Sequence, residues 1–262
     1  MGLNTNRIIR LVNEMIVIGA GKSICMLGLQ CIHIEWDDFV NKAKRFDIRL
    51  QQDIYNDIKD KQPVDTYAFF RMLGFSEVHA IDISGYEGAD ILLDLNQECP
   101  DKYYEQFDVI IDGGTLEHVF NIPIALKNIC NLLKPNGIVI HGNPLAGYID
   151  HGFYSISPTL YLDFYLQNGY RILNSEIEFV MDIGKGDHAR WNAIYSQDCR
   201  LFQKWGNTDS INEYVRMIGK NPNVGRMVLW TVAQKIKPDA SIKYPIQSMW
   251  DDYEGWDEGR KN

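Results

Sequence analysis

The pattern of apolar and polar positions predicts strands and helices that alternate along most of the chain. Short apolar runs rich in β-branched residues predict strands at 24–28, 77–82, 89–93, 107–111 and 138–140. Apolar residues at helical spacing predict helices at 7–18, 65–73, 122–133 and 159–167. An imperfect alternation of apolar and polar residues at 170–181 and a largely apolar run at 226–235 predict a final pair of strands. Strands that alternate with helices indicate an α/β fold with a mostly parallel sheet.

The segment 107–144 is the most informative part of the pattern. Its run 107–111 is nearly continuously apolar, which is typical of a strand buried on both faces of a parallel sheet. Asp112, Gly113 and Gly114 then predict a loop whose only functional side chain is one carboxylate. The next strand ends at Ile140. Ligands bind at the carboxyl ends of parallel strands, so we expect Asp112 and the residues after Ile140 at the ligand edge.

The helix within this segment has clear start and stop signals. Asn121 is a plausible N-cap, and Pro123 suits the first helical turn. The sequence Lys-Pro-Asn-Gly at 134–137 predicts the end of the helix and a turn into the next strand. Together these elements predict a right-handed βαβ unit.

Composition narrows the class of protein. The 262 residues are 45% hydrophobic, which suffices for a large core, and the net charge of −9 argues against a general nucleic-acid binder. The five cysteines are scattered, odd in number and form no CxxC pair, so reduced thiols are expected. No apolar run approaches the roughly 20 residues of a membrane span. The N-terminal apolar stretch is too short and too charged for a signal peptide, and a cytoplasmic protein is predicted.

Two regions fall outside the simple alternation of strands and helices. Residues 36–73 are too long for one crossover helix and predict a helical insertion or a mobile lid within a domain spanning 1–240. The tail 241–262 is acidic and contains Trp250 and Trp256. It is free to pack over a site, to join a homodimer or to remain loose, and the sequence leaves these alternatives open.

The sequence GAGKS at 19–23 invites a phosphate-loop interpretation. A P-loop requires a glycine at position 16, which is Ile16, and a dinucleotide fingerprint requires one at position 24, which is Ile24. A helix C-cap is the favoured interpretation. Two positions remain open for a glycine loop at the end of the first strand: Gly28, which is preferred, or Gly19 and Gly21 if the strand begins at Ile16.

The block FDVIIDGG…LEHV…ALKNICNLLKPNGIVI resembles the fourth and fifth strands of class I S-adenosylmethionine-dependent methyltransferases. Gly137 keeps that family's glycine in the turn, and Asn136 replaces its more usual glycine. Gly28-Leu29-Gln30 departs from the family's D/E-x-G-x-G-x-G loop. It is similar to the shortened LGxQ of methyltransferase-like proteins associated with glycan biosynthesis.

The resemblance implies a Rossmann-like, seven-stranded, mostly parallel sheet with an antiparallel C-terminal strand pair and helices on both faces. It also implies S-adenosyl-L-methionine as cofactor. Asp82 would accept hydrogen bonds from the ribose hydroxyls, and Asp94 would face the adenine amino group. The cofactor-binding residues implied are Gly28, Leu29, Gln30, Asp82, Ile83, Ser84, Asp94, Leu95, Asp112, Gly113, Gly114 and His118.

For catalysis, the sequence offers bases near the ends of the fourth and fifth strands. His151 is the first candidate because imidazole titrates near working pH, and Glu117 and Tyr154 follow. His118 is expected to shape the donor pocket. Glu117, His118 and His151 are the one candidate metal set, but no metal site is expected, because the adjacent residues Glu117 and His118 would point in different directions on a helix.

The expected acceptor is a small polar molecule that is a carbohydrate or phosphorylated, such as a sugar or nucleotide-sugar, methylated on oxygen or nitrogen. Neither a nucleic acid nor a membrane is an expected partner. The alternatives are a methyltransferase-like binding protein without catalysis and a nucleotide-dependent enzyme that uses 19–23 as a phosphate loop.

Overall fold

The computed structural model describes residues 3–18, 22–182, 191–198, 224–237 and 241–246. The chain divides into two compact units, Met1–His141 and Gly142–Asn262. The architecture is the predicted α/β fold, with a mostly parallel sheet, an antiparallel pair of C-terminal strands and helices packed around them.

The first unit contains the parallel part of the sheet. Its strands are β1 (Leu3–Asn4), β2 (Ser23–Leu27), β3 (Ile32–His33), β4 (Glu77–Asp82), β5 (Ile91–Leu92), β6 (Phe107–Asp112) and the first part of β7 (Leu133–Ala146). The order β5-β4-β2-β6-β7 is parallel throughout, and β1 pairs with β3 in a separate parallel two-stranded sheet. This is the Rossmann-like order, in which the strand sequence reverses between β2 and β6. Ligands bind at the carboxyl ends of the strands at such a switch point.

The helices of this unit are α1 (Thr5–Ile18), α2 (Trp36–Arg45), α3 (Gln52–Ile58), α4 (Thr66–Met72) and α5 (Ile122–Leu132), with 3-10 turns at Asp101–Tyr103 and Leu116–His118. Because α1 runs to Ile18, the alternative in which a first strand begins at Ile16 is wrong. Residues 36–72 form a helical layer held by contacts between aromatic rings. The ring centroids of Trp36 and Tyr55 lie 5.4 Å apart in an edge-to-face pair, and those of Phe39 and Phe69 lie 5.4 Å apart in a tilted pair.

Local signals around α5 were partly right. The apolar residues of this helix are buried, as its spacing predicted. Asn121 does precede the helix, but its side chain makes no cap and instead donates to the Asn96 carbonyl at 3.4 Å. The predicted turn at 134–137 is present as a bulge. The β6–β7 register passes from Phe107 opposite Leu133 to Val109 opposite Ile138, with Asn136 at φ 65°.

The second unit contains α6 (Pro158–Gln167), β8 (Tyr170–Asp182), β9 (Trp191–Asp198) and β10 (Val224–Lys235). Strand β8 is antiparallel to both β9 and β10. The pair β8–β10 was predicted, whereas β9 was not. The predicted helix at 212–218 and most of the acidic tail lie outside the described residues. No helix in the described part of the chain is long and apolar enough to cross a bilayer.

We expect Gly137→Ala to destabilise the protein, because the new Cβ would lie 2.9 Å from the Lys134 carbonyl oxygen and 3.1 Å from that of Asp108. Backbone atoms cannot move aside without distorting the β6–β7 ladder, so the free energy of unfolding should fall by about 1–3 kcal/mol. Urea denaturation measures this. Gly85→Ala is the matched control, because its Cβ would meet nothing nearer than 3.8 Å. Equal stability of the two variants would contradict the prediction.

Candidate functional site

The loop after β2 lies at the switch point and contains a glycine with no room for a side chain. Gly28 has φ 65°, and its N–H donates to the Ile81 carbonyl at 2.7 Å. A Cβ there would lie 2.9 Å from Thr115 Oγ1 and 3.9 Å from Asp82 Oδ2. Gly28 therefore sits between the loops that follow β4 and β6, and only glycine takes this conformation without strain.

Gln30 closes the same loop with its side chain. It is 3% exposed, and its Nε2 donates to the Leu27 carbonyl at 2.9 Å and the Gly28 carbonyl at 3.2 Å. These two acceptors fix the orientation of the amide and direct Oε1 toward Gly113. Oε1 has no hydrogen-bond partner in the part of the chain that the structure describes. A Cβ on Gly113 would clash with Oε1, so a larger residue there would force the Gln30 side chain to move from its two acceptors.

The Asp112 carboxylate organises the loop after β6. Its Oδ1 accepts from the backbone N–H groups of Thr115 at 2.9 Å and Leu116 at 3.2 Å. Its Oδ2 lies 2.8 Å from His141 Nδ1, and both side chains are fully buried. Gly114 follows with φ 106°. The carboxylate thus bonds within the protein, and what the Asp112–Gly114 loop offers a ligand is its backbone.

The loop after β4 begins with a carboxylate that keeps free capacity. Asp82 Oδ1 accepts from Ser84 N–H at 3.2 Å, whereas Oδ2 has no hydrogen-bond partner among the described residues. Ile83 and Tyr86 follow with 70% and 94% of their surface exposed. The half-buried Asp82 carboxylate is thus followed by two side chains, Ile83 and Tyr86, that are largely exposed in the described structure of this unit.

The loop after β5 is held by amide side chains. Asp94 Oδ1 accepts from the backbone and side-chain N–H groups of Asn96, both at 2.9 Å, and Leu95 is buried. Asn128, which is 1% exposed, accepts from Cys99 N–H at 2.9 Å and donates to the Gln97 carbonyl at 2.7 Å. Asn128 was not predicted as a site residue. Its signal is an amide on the buried side of an otherwise apolar helix.

A second group missed by the sequence analysis surrounds Asp90. The Asp90 carboxylate accepts from Ala80 N–H at 2.7 Å and lies 2.6 Å from His79 Nδ1. The Tyr67 hydroxyl donates to the Gly88 carbonyl, at 2.9 Å, or to Asp90 Oδ1, at 3.2 Å. Burial acts to raise the pKa of Asp90, but the hydrogen bonds from Ala80 and His79 outweigh it and lower the pKa below its usual value.

The predicted catalytic residues divide between the two units. In the first unit, Glu117 is fully buried, and its Oε1 lies 3.8 Å from Nε2 of His118. Burial lowers the pKa of His118, whose side chain is nonetheless 46% exposed. In the second unit, His151 and Tyr154 are exposed on the loop after β7. The His151 ring lies 5.4 Å from that of Tyr148.

The phosphate-loop interpretation of 19–23 does not agree with the order of elements. A P-loop joins a strand to a following helix, whereas here helix α1 precedes the segment and strand β2 begins at Ser23. The Ser23 hydroxyl donates to Asp108 Oδ2 at 2.7 Å and accepts from Lys134 Nζ at 2.9 Å. Lys134 Nζ also lies 3.1 Å from Asp108 Oδ2, so the Ser23 hydroxyl already bonds to an internal ion pair. Residues 19–21 themselves lie outside the described structure.

Comparison with known proteins gives only distant likenesses. No family model matches the chain, and neither does any curated protein. Among solved structures, a methyltransferase dependent on S-adenosylmethionine from Archaeoglobus fulgidus is 14% identical, with a TM-score of 0.43 over 88% of this chain and 94% of its own. A second such methyltransferase, from Mesorhizobium loti, is 13% identical, with a TM-score of 0.40 over 88% and 97%. The [4+2]-cyclase SpnF is 14% identical, with a TM-score of 0.42 over 88% and 80%. These values do not identify a family.

We expect Asp112→Ala to destabilise the protein strongly, because it would leave buried His141 and two backbone N–H groups without their acceptor. Breaking a buried, hydrogen-bonded pair costs about 3–5 kcal/mol. Denaturant unfolding at neutral pH measures the loss. Asp57→Ala, at an exposed position on α3, serves as the control and should change stability by less than about 0.5 kcal/mol. A loss below 1 kcal/mol for Asp112→Ala would show that the pair contributes little.

Proposed function

We propose that this protein is an S-adenosylmethionine-dependent methyltransferase that acts on a small polar acceptor. The proposal rests mainly on the geometry of the switch point. Gly28 lies there in a left-handed conformation between Asp82 and Thr115, and Asp82 Oδ2 accepts no hydrogen bond from the described residues. A narrow glycine loop beside an available carboxylate suits a nucleoside whose substituent lies along the loop.

The nucleoside part of the donor would be held by the loops after β4 and β5. An ionised carboxylate only accepts hydrogen bonds, so Asp82 suits the two ribose hydroxyls. The exposed side chains of Ile83 and Tyr86 would cover the faces of the flat adenine. Asp94 uses Oδ1 for Asn96, and its Oδ2 has no partner among the described residues, which leaves an acceptor for the adenine amino group. Ser84 and Leu95 complete these loops.

The methionine part would lie along 28–30 and 112–114. Thr115 Oγ1 and Gln30 Oε1 fill the space beside Gly28 and Gly113, so these loops would offer the donor their backbone groups, and Leu29 and Gln30 complete the first loop. When bound, the donor supplies a sulfonium methyl group that is already activated for transfer. The protein's task is then to orient the acceptor, exclude water and remove a proton from the acceptor atom. His118 would border the donor at the end of the 112–118 loop.

We assign the proton-accepting role to His151, with Glu117 and Tyr154 as the other candidates. The His151 side chain is exposed on its loop, and histidine is the side chain that proteins most often use as a general base. Glu117 is fully buried, so it suits the fixing of its neighbour His118 better than exchange with solvent. The acceptor we propose is a sugar, nucleotide-sugar or related metabolite, methylated on oxygen or nitrogen.

One alternative keeps specific support. The side chains of Gln30 and Thr115 both donate to the Leu27 carbonyl, so the end of β2 is more filled than a glycine-rich loop would be. A binding protein that has lost the donor would tolerate such filling. The reversed order of helix and strand around 19–23 argues against the nucleotide-dependent alternative.

Titration calorimetry with S-adenosylhomocysteine tests the function. We expect micromolar binding to the wild-type protein and a loss of about tenfold or more in Asp82→Ala, because the ribose would lose a charged acceptor. Asp57→Ala, an exposed carboxylate remote from the switch point in sequence, is the matched control and should bind as the wild type does. Absence of binding to the wild type would favour the donor-free alternative. Binding of Mg-ATP that is abolished by Lys22→Ala would favour the nucleotide-dependent one.

We expect His151→Ala to bind S-adenosylhomocysteine normally and to lose methyl transfer by about 100-fold or more, because it would remove only the base. Transfer is measured with a radiolabelled methyl donor and a panel of sugars and nucleotide-sugars. His33→Ala, which changes an exposed histidine of β3, is the control and should retain activity. Unchanged transfer in His151→Ala would assign the base to another residue.

A further inference from the structure

Helix α4 contacts two of the loops at the switch point through the side-chain hydroxyl groups of two consecutive residues. Thr66 Oγ1 donates to the Gln30 carbonyl at 2.7 Å, and both residues are buried. The Tyr67 hydroxyl donates to the Gly88 carbonyl at 2.9 Å and lies 3.2 Å from Asp90 Oδ1. Because successive helical residues point about 100° apart, adjacent positions can serve two different loops.

The helix that carries these groups is firmly held. Its first turn is capped by Asp65, whose Oδ1 accepts from Ala68 N–H at 3.0 Å. Phe69, Phe70 and Met72 have no exposed surface, and the Met72 carbonyl accepts from Gln51 N–H at 2.9 Å. Movement of Thr66 or Tyr67 would therefore require repacking of a complete aromatic layer.

The two loops that α4 contacts also meet each other. A Cβ on Gly88 would lie 3.8 Å from Leu29 Cδ2, so the end of the 83–90 loop packs against the 28–30 loop. Asp90 fastens the 83–90 loop to β4 through Ala80 and His79. Burial, followed by the nearby Asp90 carboxylate, raises the pKa of Tyr67 to about 12, so its hydroxyl stays a donor at neutral pH.

We infer that Thr66 and Tyr67 are positioning residues of the donor site. Thr66 fixes the conformation of the 28–30 loop, which would bind the methionine end of the donor. Tyr67 fixes the conformation of the 83–90 loop, which would bind the nucleoside end. The inference rests on the proposed function. It gives the helical region 36–72 a part in donor binding that does not require it to be a lid.

The test compares two ligands by calorimetry: S-adenosylhomocysteine and 5′-methylthioadenosine, which lacks the amino-acid end. Thr66→Val should weaken the binding of S-adenosylhomocysteine by about tenfold and that of 5′-methylthioadenosine by less than about twofold. The reason is that only the 28–30 loop loses a hydrogen bond. Tyr67→Phe should weaken the binding of both ligands by about three- to tenfold, because both contain the nucleoside. A general loss of structure would not separate the ligands in this way.

Two control variants isolate the hydroxyl groups. Thr66→Ser keeps the donor and should bind both ligands as the wild type does. Tyr55→Phe removes a hydroxyl from the same aromatic layer, on α3, without a described bond to either loop, and should also leave binding unchanged. Circular dichroism confirms that each variant is folded.

The inference would be overturned if Thr66→Val weakened the binding of both ligands equally, or if Thr66→Val and Tyr67→Phe both bound the ligands as the wild type does. Either result would leave the proposed function intact. If the wild-type protein bound neither ligand, the proposed function would fail and this inference with it.

Discussion

Parallel strands that end inside a protein leave backbone groups without partners, and the structure depends on how this constraint is met. Near the carboxyl ends of four strands of the first unit, a polar side chain bonds to backbone groups of the strand or of the loop that follows it. Asp112 bonds to the loop after β6, and Gln30 bonds to the end of β2. Asp90 holds the loop after β4, and Asn128 holds the loop after β5. The loops at this edge are consequently fixed by directional bonds, and their narrow glycines keep the shape that a ligand would meet.

The elements of the fold were largely predictable, because their signals are local. The continuous apolar run at 107–111 indicated β6, and the helical spacing after Asn121 indicated α5. Strand β9 was missed because 191–198 contains neither a continuous apolar run nor strong alternation, and its strand character depends on pairing with β8. Tertiary pairing of this kind leaves little trace in the sequence of one strand.

The site was less predictable, because its contacts join residues that are far apart in the chain. Asp82 and Asp112 look alike in the sequence: each closes a strand and precedes a turn-rich loop. Their environments in the structure differ. Asp82 keeps one oxygen available as an acceptor, whereas Asp112 is fully buried against His141. The difference arises from the partner at position 141, which lies 29 residues further along the chain. No local pattern could have distinguished the two carboxylates.

The close approach of Gln30 Oε1 to Gly113 also bears on how this sequence can diverge. A side chain at 113 fits only if the Gln30 side chain shifts or residue 30 becomes shorter. Either change removes the Gln30 donor from the Leu27 and Gly28 carbonyls, and Leu27 then keeps the Thr115 hydroxyl as its side-chain donor. Relatives that acquire a larger residue at 113 should therefore show a compensating replacement at 30, with a new donor for the Gly28 carbonyl. We therefore expect the two positions to change together, although 83 residues separate them in the chain.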